Sequence, residues 1–71
     1  MKKVITIEGM QCNHCKMTVE KVLGMIDGIS KVEVSLEKKN ATVEMIKNVD
    51  EEEIKNKIEE EGFIIKDIRL A

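Results

Sequence analysis

The stretch Lys3-Val4-Ile5-Thr6-Ile7-Glu8-Gly9-Met10-Gln11-Cys12-Asn13-His14-Cys15 decides how this chain folds. Its first part alternates, with Ile5 and Ile7 on one side and Thr6 and Glu8 on the other, the period-two pattern of a half-buried strand. Gly9 breaks that strand. From His14 to Ile26 the period changes. Cys15, Val19, Val22 and Ile26 recur at steps of four, three and four, which is one stripe of an amphipathic helix. Asn13 is placed to cap that helix, Gly24 weakens its last turn, and Gly28 closes the connection to the next segment.

Further along, Val32, Val34 and Leu36 alternate, then Ala41, Val43 and Met45. The polar run Glu37-Lys38-Lys39-Asn40 between them predicts a β-hairpin. Asp50 followed by Glu53 is a capping-box pattern, and Val49 with Ile54 is placed as a hydrophobic staple, so a second helix starts here. Ile54 and Ile58 give it a narrow apolar stripe. Glu51 with Lys55 and Glu53 with Lys57 support its exposed face, and Gly62 sits where a left-handed cap belongs. A last strand sets Ile64, Ile68 and Leu70 against Lys66 and Arg69, with Ile65 blurring the phase. The order β-α-β-β-α-β in so short a chain predicts the α+β, ferredoxin-like fold: a four-stranded antiparallel sheet with two helices on one face.

The 71 residues leave room for one domain, spanning 1–71. With 42% hydrophobic and 37% charged residues, the chain is too apolar for disorder and has no uninterrupted run long enough for a membrane span, so a small soluble globule is expected. Lys2 and Lys3 begin like a signal peptide, but the apolar stretch stops at Glu8, and the expected location is the cytoplasm. Phe63 is the one aromatic residue and the net charge is −2, which argues against a nucleic-acid partner.

Cys12 and Cys15 are the only cysteines. Three positions apart, they cannot staple distant parts of a secreted fold, and one pair is too few for a closed zinc site. In a reducing compartment such a pair points to metal binding or redox chemistry. Across a loop-to-helix junction, a Cys-x-x-Cys pair can aim both sulfurs at one atom, while the helix N-terminus and Lys16 favour thiolate over thiol. Two soft sulfurs suit Cu(I) better than Zn(II), which wants four ligands, and Hg(II) is equally content with two thiolates.

Gly9-Met10-x-Cys12-x-x-Cys15 after a first strand, with Val19 and Val22 along the first helix and Glu61-Gly62-Phe63 before the last strand, resembles the heavy-metal-associated domain family. The closer likeness is to its stand-alone bacterial copper chaperones of the CopZ type. The resemblance covers the whole chain. It implies that Cys12 and Cys15 bind Cu(I), that Met10 packs beneath the loop as core rather than as a ligand, and that Phe63 shields the metal loop where relatives often carry a tyrosine. Gln11 stands where relatives that handle zinc or cadmium often carry an acid, and its neutral amide keeps the pair suited to a soft monovalent ion.

The implied role is a carrier, not an enzyme, passing Cu(I) by thiolate exchange. Its implied partners are the metal-binding domain of a copper-transporting P-type ATPase or a copper-responsive repressor. A metal-free monomer and a metal-bridged dimer are expected. Two alternatives are an excised module of such an ATPase, which the start at Met1 and the end just after the last strand weigh against, and a mercury-binding protein. A third, of another class, is a thiol-disulfide oxidoreductase, which the absence of Pro and Trp weighs against. His14, between the cysteines, is expected to face solvent rather than the metal. Met17 and Met25 read as core or partly exposed packing, and Glu59-Glu60-Glu61 as a solvated helix end.

Overall fold

The structure, a computed structural model, describes residues 1–70. Strand β1 (Lys2–Glu8) leads into helix α1 (Asn13–Gly24), the hairpin of β2 (Ile29–Ser35) and β3 (Asn40–Met45), helix α2 (Glu51–Glu60) and strand β4 (Ile64–Leu70). The strands form one sheet in the order β2-β3-β1-β4, and every neighbouring pair is antiparallel. This is the ferredoxin-like arrangement that the pattern of periods predicts. Ile5 and Ile7 of β1 with Ala41, Val43 and Met45 of β3 turn one sheet face inward, against Val19 and Leu23 of α1 and Ile54 and Ile58 of α2. α1 lies against β2 and α2, and α2 lies against β4.

Four local expectations need correction. Cys12, not Asn13, is the N-cap of α1: its backbone is extended (φ −147, ψ 171) and its carbonyl accepts the Lys16 N–H at 3.0 Å, the bond that opens the helix. Asn13 is already helical, so its amide makes no cap. The helix stops at Gly24, and Ile26 enters the core from the turn beyond it, while Leu23, absent from the sequence stripe, is fully buried one turn after Val19. The capping box forms only in part. Asp50 accepts the N–H of Glu52 at 3.0 Å, and Glu53 lies instead within electrostatic reach of Lys47. The staple pair, Val49 and Ile54, is buried as expected, and Gly62 has the left-handed φ of +93.

The fourth correction is the phase of β4. Ile65 and Ile68 are the half-buried residues, and Ile64 and Leu70 are exposed. Residues three apart cannot share a face of a regular strand. The register shifts between Thr6, opposite Asp67, and Ile7, opposite Ile65, so Lys66 is an extra residue in a bulge that restores both isoleucines to the core side.

At the end of β1, the Ile7 N–H donates to the Lys39 carbonyl at 2.9 Å, which ties the hairpin turn to the strand that launches the cysteine loop. Lys39 presents that carbonyl from a left-handed backbone, φ 57.

Candidate metal site

The loop Gly9–Cys12 leaves β1 at the edge where β4 begins and climbs to the start of α1. Gly9 has φ +95, a conformation open to glycine and strained for other residues, and it lets the chain turn sharply off the strand. A side chain there would stand 3.6 Å from the Phe63 ring, so Phe63 lies against the base of the loop and is itself buried. Met10 inserts into the core, 3% exposed, and pins the middle of the loop from below. Gln11 and Cys12 are then left on the surface. The loop is anchored at both ends and at its centre, yet its cysteine is open to solvent.

Cys12 and Cys15 are both free thiols, Cys12 exposed and Cys15 half-buried on the first turn of α1. Their sulfurs stand 3.4 Å apart, with the Cys12 thiol donating toward Cys15. With metal–thiolate bonds of about 2.3 Å, they need to part by only about 1 Å to oppose each other across one ion. The Cys15 thiol is held below its ordinary pKa. The largest cause is the Gln11 backbone, followed by the hydrogen bond from Cys12, and the Cys12 and Cys15 backbones add to it against a desolvation cost. The loop backbone at Gln11 above all, then the Cys12 thiol and the backbone at the helix start, thus favour the thiolate, the form that binds metal.

His14 is exposed and Lys16 half-buried. Among the described residues no three His, Cys, Asp or Glu side chains come together as a metal-binding group, so His14 does not complete a three-ligand set with the two cysteines. Sequence reasoning missed a groove of about 370 Å³ beneath the loop, lined by Thr6, Glu8, Gly9, Gln11, Lys39 and Lys66 among others. Lys39 and Lys66 reach it from the hairpin turn, which the sequence announces, and from the β4 bulge, which it does not. No helix of the described residues is long and apolar enough to cross a membrane.

Two adjacent free thiols at a helix start, presented at one end of a ferredoxin-like sheet, form a candidate two-sulfur site for a soft metal. The model of the heavy-metal-associated domain matches residues 4–63, and the chain belongs to that family. A copper chaperone CopZ of Staphylococcus haemolyticus is 39% identical over 67 residues, covering 93% of this chain and 98% of the relative. Among solved structures, a CopZ metallochaperone superposes with a TM-score of 0.86 at 33% identity, over 92% of this chain and 98% of its own. A copper-binding domain from HMA7, a P-type ATPase, does so with 0.82 at 34% identity, over 100% and 95%.

Proposed function

We propose that this protein is a copper chaperone of the CopZ type that binds one Cu(I) through Cys12 and Cys15 and hands it on by thiolate exchange. The observation that carries the reading is the pair of free thiols 3.4 Å apart with, among the described residues, no third His, Cys, Asp or Glu gathered beside them. Two sulfurs satisfy a soft monovalent ion and leave its remaining positions open to an incoming ligand. The copper chaperone relatives and the CopZ metallochaperone structure support copper as the cargo.

Transfer divides between the two cysteines. Cys12, exposed on the loop, is the sulfur that a partner's thiolate displaces first, while Cys15, half-buried on the helix, holds the ion through a three-coordinate intermediate. Each metal–sulfur bond that breaks is preceded by one that forms, so the ion moves without passing through water. The protein is a carrier in this reading, and only metal–sulfur bonds are made or broken. Gln11 adds no charge that would favour a harder divalent ion. Met10 and Phe63 hold the loop and exclude water from its base, Gly9 supplies its turn, and Lys16 adds a positive charge at its rim beside the exposed His14.

The partner class is the metal-binding domain of a copper-transporting P-type ATPase. The HMA7 domain has this same architecture and supports two similar sites meeting loop to loop. A copper-responsive repressor is a second recipient of the same chemistry. The chain acts as one domain, residues 1–71, in the cytoplasm, monomeric without metal and able to share an ion between two copies across four cysteines. Titration of the reduced protein with Cu(I) against a competing chelator tests the reading. It stands if the protein binds one equivalent and the Cys12→Ser/Cys15→Ser variant does not compete, and fails if the variant retains the wild-type affinity.

A further inference from the structure

We propose that His14 and Met17 form a second, weaker site for a soft monovalent metal ion on the outer face of α1. The two residues are three apart on the first turns of that helix. This places them about 60° apart around the axis and about 4.5 Å along it. Side chains so spaced are neighbours, with Cβ atoms about 5–6 Å apart. An imidazole nitrogen and a thioether sulfur can therefore close on one ion between them, helped by the three rotatable bonds of methionine.

Neither side chain is engaged elsewhere. Met17 is 64% exposed and contributes nothing to the core, which α1 fills with Val19 and Leu23. His14 is exposed, and it is its backbone carbonyl, not its ring, that accepts the Thr18 hydroxyl at 3.0 Å. The donors are uncharged, and thioether sulfur selects soft ions such as Cu(I) and Ag(I). Glu20 and Lys21, the nearest charged side chains beyond Met17, are of opposite sign, so selection falls to the softness of the pair. Met17 points about 160° away from Cys15 around the helix, so the two cannot share an ion. Met25, about 12 Å further along the axis, is out of reach. The site therefore fills after the thiols and leaves their ion untouched.

Silver(I), redox-inert in buffer, is the probe. With the thiols removed in the Cys12→Ser/Cys15→Ser protein, Ag(I) titration is followed by NMR of the His14 ring and the Met17 methyl group. One equivalent is expected to shift both signals, and Met17→Leu or His14→Gln in that background is expected to weaken binding at least tenfold, about 1.4 kcal/mol. Both positions are exposed, and an unchanged amide spectrum shows that the variants remain folded. If the thiol-free protein takes up no Ag(I), or if neither substitution weakens its binding, the site does not exist. The outcome is independent of the copper-carrier reading, which depends on the first equivalent and on Cys12 and Cys15.

Discussion

Leu23 and Gly28 show how much of this small fold rests on single side chains and single torsions. Leu23 is fully buried between α1 and the sheet, and truncation there leaves a cavity that a core of so few residues cannot fill by collapse. Leu23→Ala is expected to cost about 2–5 kcal/mol, read as a lower urea midpoint with an unchanged m-value. Gly28 combines φ +103 with a close approach: an added Cβ would stand 2.9 Å from Val49 Cγ2. Gly28→Ala therefore combines torsional strain with overlap, and a loss above about 1 kcal/mol is expected in the same assay. Sequence alone reads Gly28 as a connection and omits Leu23, because Val22 beside it satisfies the same helical stripe. Which of two adjacent apolar residues goes fully inward depends on where the sheet lies, and helical spacing does not carry that.

Among the elements, α2 has the best-marked start and β4 the least legible phase. The Asp50 carboxylate satisfies the Glu52 N–H, so Asp50→Ala leaves that donor without its cap and is expected to cost about 1 kcal/mol in urea unfolding. The turn before β2 is clasped to the loop before α2 by Lys47 and Asp27, 2.6 Å apart and both exposed. The Lys47 hydrogen bond, then its charge, holds the Asp27 carboxyl below its usual range. A depressed carboxylate pKa contributes stability above the unfolded value, about 3.9, and that contribution is lost as pH falls through the folded value. Asp27→Asn should thus lower stability slightly at pH 6, and the gap to wild type should close in urea titrations as pH falls below the ordinary carboxylate range. For so exposed a pair the effect at pH 6 is small. β4 resisted reading because its two inward isoleucines, Ile65 and Ile68, have odd spacing. Only the bulge at Lys66, set by pairing with β1, makes that spacing consistent with one face.

For the molecule as a whole, the alternation of strand and helix periods carries the order of elements, and the loop chemistry follows from where that order puts Cys12 and Cys15. The fold was legible because each element announces its own period: Ile5 and Ile7 at two, Val19 and Val22 at about 3.6. The thiol pair was legible because a Cys-x-x-Cys at a strand-to-helix junction has few other uses. Cys12 as the N-cap, the Lys39 carbonyl bracing Ile7 and the groove under the loop were not legible. The last two depend on contacts between segments far apart in the chain, whereas Cys12 was missed because the neighbouring Asn13 is the stronger cap by residue type. The two-sulfur geometry is the claim on which the carrier function depends, and X-ray absorption at the copper edge of the protein loaded with one equivalent of Cu(I) tests it most directly. The account predicts two sulfur scatterers and no nitrogen or oxygen in the first shell, lost in the Cys12→Ser/Cys15→Ser protein. A first shell containing a nitrogen or oxygen ligand, or one unchanged by removing both thiols, would contradict it.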